Sequence, residues 1–144
     1  METLGSKDAE LLSGLREGKM VLTPTQGNSM RPFIHGGLDK VLVRKEEDVT
    51  VGDIVMVPYG GVIILHRVYA INGSRLILMG DGNLVGNEVV DKADVWGTAV
   101  EIIKPDGRRC KPKKAWLWRH ALPFRRILLK LHRKWYRIRN KNGR

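Results

Sequence analysis

Two apolar, β-branched runs, Val62–Ile71 and Arg75–Met79, flank Asn72-Gly73, the strongest local signal in the chain. Asn-Gly between such runs supplies the positive φ values of a tight hairpin turn, so the runs pair as antiparallel neighbours. The same texture extends from Met20 to Ile103, where short β-branched runs are punctuated by Gly, Pro and Asn. Strands are expected near Met20–Thr25, Lys40–Arg44, Asp53–Val57, Val62–Ile71, Arg75–Met79 and Val95–Ile103. Helical periodicity is confined to the ends. Asp8–Lys19 reads as a short helix with Ala9, Leu11, Leu12 and Leu15 as its apolar positions. Lys104-Pro105-Asp106-Gly107 turns the chain out of the β region, and Pro123 opens a helix carrying Phe124, Ile127, Leu128, Leu131, Trp135 and Ile138 on one face. The expected fold class is mainly β, with a short N-terminal helix and a basic amphipathic C-terminal helix.

A length of 144 residues suits one compact domain. Charge divides it unevenly: residues 1–107 carry 11 basic and 15 acidic side chains, whereas 108–144 carry 15 basic and none acidic. The expected organisation is a β domain over 1–107 and a cationic helical tail over 108–144. The single cysteine excludes an internal disulfide and a Cys-based zinc site. His35, His66, His120 and His132 lack zinc-binding spacing, and no phosphate-cradling glycine loop precedes a helix, so no metal or cofactor is expected. No run of eighteen apolar residues and no signal-peptide pattern occurs, which makes a cytoplasmic chain the expectation.

Three segments carry candidate chemistry. Gly27-Asn28-Ser29-Met30-Arg31-Pro32 holds Ser29 at a bend; a serine in a turn is more often a cap than a nucleophile, which needs a base and oxyanion donors nearby. His66 sits on the apolar strand between Ile64 and Val68, where a histidine is more often a satisfied core residue. Such an environment also favours the neutral imidazole that a general base uses. Arg67 points to the opposite face and suits a structural ion pair. Gly80-Asp81-Gly82-Asn83 reads either as an Asx-type turn or as a site loop. With a two-residue loop at Asn72-Gly73, residue 71 pairs with 74 and 66 with 79, which sets Asp81 opposite Ile64 and diagonal to His66. A change of one residue in register would turn Asp81 to the other face.

Taken in order, Gly27-Asn28-Ser29-Met30-x-Pro32, Gly52-Asp53-Ile54-Val55, His66-Arg67-Val68 and Gly80-Asp81-Gly82-Asn83 resemble the boxes of the serine peptidase superfamily that joins type I signal peptidases and self-cleaving SOS-type repressors. The likeness spans about residues 20–103 and implies the β fold of that superfamily. Many members use a Ser–Lys dyad; His66 at the base position resembles the signal peptidases of the endoplasmic reticulum and archaea. The resemblance implies Ser29 as nucleophile and His66 as general base, with Asp81, Glu88 or neither completing a triad. Gly27 has no hydroxyl to offer an oxyanion, so backbone amides at Ser29 and Met30 are the implied donors, with Asn28 beside them. Leu38 interrupts the usual Gly-Asp pair, giving Gly37-Leu38-Asp39.

The implied activity is cleavage of a peptide or protein substrate. A catalytically inactive peptide-binding module, localised by the tail, is the competing reading. For the tail itself, Arg125, Arg126, Lys130, Arg133, Lys134 and Arg137 beside an apolar stripe form the pattern of a helix lying in the headgroup layer of an anionic membrane. Nucleic acid shares the electrostatics but has less use for a continuous apolar stripe. A helix packing that stripe on the body is the plainer alternative.

Overall fold

The computed structural model describes residues 5–83, 87–115 and 122–142, and in the last segment the side chains of 127–140. Helix α1 (Ser6–Arg16) leads into strands β1 (Val21–Pro24), β2 (Lys40–Arg44), β3 (Ile54–Tyr59), β4 (Val62–Asn72), β5 (Arg75–Met79) and β6 (Glu88–Asp91). A 3-10 turn at Lys92–Asp94, strands β7 (Gly97–Ile103) and β8 (Arg109–Cys110) and helix α2 (Leu122–Asn142) follow. The strands form one antiparallel sheet in the order β1-β2-β7-β3-β4-β5-β6, with β8 also on β7. This is the mainly β architecture with a helix at each end that the periodicities imply.

Helix α1 stops where Gly18 takes φ +81°. Its amide bonds to Leu15 O and the Lys19 amide to Gly14 O, which satisfies carbonyls that the helix end would strand. Its Leu15 is fully buried and packs with Met30, Ile34, Val41, Val43, Ile54, Met56, Trp96, Ala99 and Ile102 on one face of the sheet. The other face is covered by a second cluster of Val55, Val57, Val68, Leu76, Leu78 and Val90. Strand β3 feeds both clusters by alternation, which is why its sequence reads as an unbroken apolar run.

Two short strands are additions to the sequence expectation. In β6 only Val90 is buried, so Glu88–Asp91 carries too little alternation to announce a strand. The turn at Lys104–Gly107, instead of leading the chain away from the sheet, returns it as β8, which pairs Ile102 with Cys110 and Ile103 with Arg109.

The β4–β5 hairpin departs from the expected register. Asn72 pairs with Arg75, Ile71 with Leu76 and Ala70 with Ile77, which centres the turn on Gly73-Ser74. That one-step advance on both strands preserves which side chains share a face. A register shift between Val68 and Ala70 then inserts Tyr69 as a bulge, after which Val68 pairs with Leu78 and Arg67 with Met79. A single extra residue exchanges faces, so Arg67, not His66, stands diagonal to Asp81.

Candidate active site

Ser29 lies in a loop over residues 25–39 whose two ends are tied together. Thr25 Oγ1 donates to Asp39 O at 2.6 Å and the Gly37 amide to Thr25 O at 2.6 Å. The buried Asp39 carboxylate accepts from the His35 amide at 2.8 Å and from Lys104 Nζ at 2.9 Å. The insertion of Leu38 therefore leaves the aspartate in a structural role, with Leu38 itself exposed. Inside the loop, Met30 O accepts from the Phe33 and Ile34 amides, and both Met30 and Ile34 are buried in the core beneath. The nucleophile candidate is thus mounted on a buried apolar pair while Ser29 stays partly accessible.

The Gly80-Asp81-Gly82 segment lies directly against this loop. The Gly82 amide donates to Ser29 O at 2.7 Å. A Cβ at Gly80 would stand 2.4 Å from Ser29 O, and one at Gly82 would stand 2.3 Å from Asn28 O. No side chain fits between the two backbones, which is the physical reason for glycine on both sides of Asp81.

Adjacent residues of β4 then serve opposite faces of the sheet. His66 pairs with Val55 and is almost wholly buried, with its Nδ1 2.9 Å from Glu88 Oε2. Glu88 reaches it because Glu88, Leu78 and Val68 stand opposite one another across β6, β5 and β4, and His66 lies two residues along on the same face. Arg67 has no exposed surface. Its Nε and Nη2 bond to the Asp81 carboxylate at 2.7–3.0 Å, its Nη1 to Gly52 O at 2.8 Å and to Lys113 O at 2.6 Å, and its guanidinium lies over the Phe33 ring. The expected Asp81–His66 contact is therefore corrected: the bulge at Tyr69 turns Asp81 to Arg67, and Glu88 stands at the imidazole. The Gly52-Asp53 box belongs to the same scaffold, with Gly52 at φ +97° and Asp53 accepting from the Thr50 amide and Lys114 Nζ.

Ser29 and His66 line one cleft of about 830 Å³, without a direct hydrogen bond between them. Its walls include Val21–Thr25 of β1 and its continuation, Gly61–His66 of β4, and Met30, Ile34 and Met56. Among the described strands, β1 pairs only with β2, and the Val62–His66 half of β4 pairs only with β3. Two backbone edges thus stand on the cleft. The amides of Ser29 and Met30 donate to no described residue. Among the described residues no group of three His, Cys, Asp or Glu side chains is placed to hold a metal ion.

Helix α2 meets the body beside this loop. Arg133 Nη2 donates to Gly82 O at 2.8 Å, the Arg31 guanidinium lies 4.2 Å from the Tyr136 ring centroid, and the His35 and His132 rings are 6.1 Å apart. Leu129 is buried, whereas Ile127, Leu128, Leu131, Trp135 and Ile138 are each about half exposed. The docked stripe, Leu129, His132, Arg133 and Tyr136, differs from the apolar stripe that periodicity singles out. Lys130, Lys134 and Arg137 are exposed beside the latter, Arg133 is partly engaged by the body, and the side chains of Arg125 and Arg126 fall outside the described residues, as does Trp116-Leu117-Trp118. No helix among the described residues is long and apolar enough to cross a membrane. Burial pushes the His35 imidazole below the ordinary histidine value; Asp39 opposes this, and Lys104, Arg31 and His132 add to it.

Against known proteins, the model of the peptidase S24-like family matches residues 6–103, from α1 through β7. The chain belongs to the peptidase S24-like family. No curated protein matches it. This S24-like serine peptidase domain contains the serine loop, both carboxylate-bonded residues of β4 and the glycine-flanked Asp81, while β8 and α2 lie outside the matched span. The residues that a linear reading misses are those that act across elements. Arg133 and Tyr136 are unremarkable cations and aromatics in a basic helix, and only their i, i+3 spacing and their phase with Leu129 hint at a second face.

Proposed function

We propose that this S24-like domain is a serine endopeptidase with His66 as its base, working on an extended peptide near an anionic membrane surface. The observation that carries the reading is the shared cleft of Ser29 and His66, with His66 Nδ1 held by Glu88. A carboxylate accepting the Nδ1 proton leaves the Nε2 lone pair as the proton acceptor. Ser29 Oγ attacks the scissile carbonyl, and its proton passes to Nε2. The amides of Ser29 and Met30 receive the oxyanion. The leaving amine takes the proton from Nε2, and water, deprotonated by the same nitrogen, releases the acyl group from Ser29. Catalytic hydrogen bonds commonly tighten only when substrate fills the site, consistent with a Ser29 and His66 that share a cleft without touching.

The free edges of β1 and of the Val62–His66 half of β4 supply the backbone groups that an extended peptide would pair with. Helix α2 supports the location. Its exposed Ile127, Leu131, Trp135 and Ile138 adjoin Lys130, Lys134 and Arg137, and each cation near an anionic leaflet contributes about 1 kcal/mol. A domain held this way meets segments that emerge close to the bilayer.

The test is labelling with a fluorophosphonate probe. Wild-type protein should label at Ser29, and His66→Ala should lose that labelling while remaining folded. A folded wild type that never labels, yet retains peptides in the cleft, would establish a binding module instead. Sedimentation with phosphatidylserine-containing vesicles tests the location: binding should weaken with salt and in Leu131→Asp, and equal binding to neutral vesicles would dismiss it.

A further inference from the structure

The contacts of α2 converge on one place. Arg133 bonds to Gly82 O, and the Gly82 amide bonds to Ser29 O, so a single glycine links the helix to the backbone of the candidate nucleophile. Arg31, two residues beyond Ser29, lies against Tyr136, and its buried Nε has no hydrogen-bond partner among the described residues. His35, at the far end of the same loop, faces His132. The loop it meets has no regular secondary structure of its own around Ser29. Short turns such as Asn28 O to the Arg31 amide, at 3.2 Å, hold it locally, Met30 and Ile34 seat it on the core, and α2 packs against it at Arg31 and His35.

We propose that α2 is a positioning element for the nucleophile loop, with Arg133 and Tyr136 as its positioning residues acting through Gly82 and Arg31. The proposal rests on the peptidase reading for its catalytic consequence, but the clamp itself is a structural statement. At 100° per residue, the docked residues Leu129, His132, Arg133 and Tyr136 point roughly 140° away from the apolar stripe. The helix can therefore rest its stripe on a lipid surface without releasing the loop. Location and catalytic geometry are joined through one element: the helix that would bring the domain to a membrane also sets the serine. Arg133 is accordingly a double-purpose cation, counted by composition with the lipid-facing charges but directed at the body by its hydrogen bond to Gly82.

The experiment is amide hydrogen exchange on the full chain, wild type beside Arg133→Ala, Arg133→Lys and Tyr136→Leu, with the β4–β5 ladder amides as the folding control. Loss of a charge-assisted hydrogen bond should speed exchange at the Gly82 and Arg31 amides by about tenfold while the ladder keeps its wild-type rates. Arg133→Lys should restore most of the protection. In the same proteins, probe labelling of Ser29 should slow in its chemical step with the probe's binding constant unchanged. Wild-type exchange at both amides in Arg133→Ala and in Tyr136→Leu would overturn the clamp, even with labelling intact and the peptidase reading secure. Faster exchange in a protein that never labels would uphold the clamp and remove the peptidase reading instead.

Discussion

Consecutive residues of β4, His66 and Arg67, make two carboxylate partnerships of opposite character. His66 meets Glu88 through one nitrogen at the wall of an open cleft, with the Glu88 side chain 17 % exposed. Arg67 meets Asp81 bidentately with no exposure on either side, and its remaining bonds go to the backbone at Gly52 and Lys113. The first arrangement leaves a ring nitrogen for chemistry. The second uses four of the five guanidinium protons on internal partners and ties the Gly52-Asp53 and Gly80–Gly82 boxes into one frame. The two pairs therefore differ in character, one reaching the wall of a cleft and one sealed within the frame, and they stand on opposite faces of a single strand.

The sharpest way to break this comparison is to remove each partner in turn. His66→Ala or Ser29→Ala should lower peptide hydrolysis by a factor on the order of 10³ or more. Urea unfolding of the same variants should shift by only about 1 kcal/mol. Arg67→Ala should do the reverse, destabilising the domain by about 3–5 kcal/mol, because an uncompensated carboxylate is left buried at Asp81. Replacing both, Arg67→Met with Asp81→Leu, should recover most of that loss, and a double variant as unstable as the single one would contradict a scaffold role.

Glu88→Gln separates the two carboxylates further. With Nδ1 no longer held by an ionised acceptor, kcat should fall about a hundredfold with KM little changed. An equal loss in Asp81→Asn, at matched folded fraction, would return Asp81 to the chemistry.

The smallest effect concerns His35, where the serine loop meets α2. Its folded value is lowered from 6.5, chiefly by burial, so the unfolded chain takes up the proton first. The associated stability is fully present above 6.5 and is lost as pH falls through that value towards the lower folded one. Wild-type melting temperature should therefore decline more steeply below pH 6.5 than that of His35→Gln. Parallel curves would show that His35 contributes nothing to the acid response.

Much of this protein was decided by its sequence alone. Alternating and continuous apolar runs set the strands, because a pleated sheet repeats every two residues and buries whichever face is apolar. Leu11, Leu12 and Leu15 set the N-terminal helix, and the order of the serine, histidine and glycine-aspartate boxes pointed to the family. What only the tertiary structure decided were relations between elements. The bulge at Tyr69 involves no turn residue and no break in apolar pattern, yet it exchanges Asp81 from His66 to Arg67. Glu88 reaches His66 across three strands, through a strand too short to be seen in the sequence. Helix α2 turns Leu129 and Tyr136 to the body and leaves Ile127, Leu128, Leu131, Trp135 and Ile138 about half exposed, where periodicity alone allowed the stripe to pack inward. Periodicity reports which residues of one element share a face. Which partner that face meets depends on register and docking, and these are settled only when the elements come together.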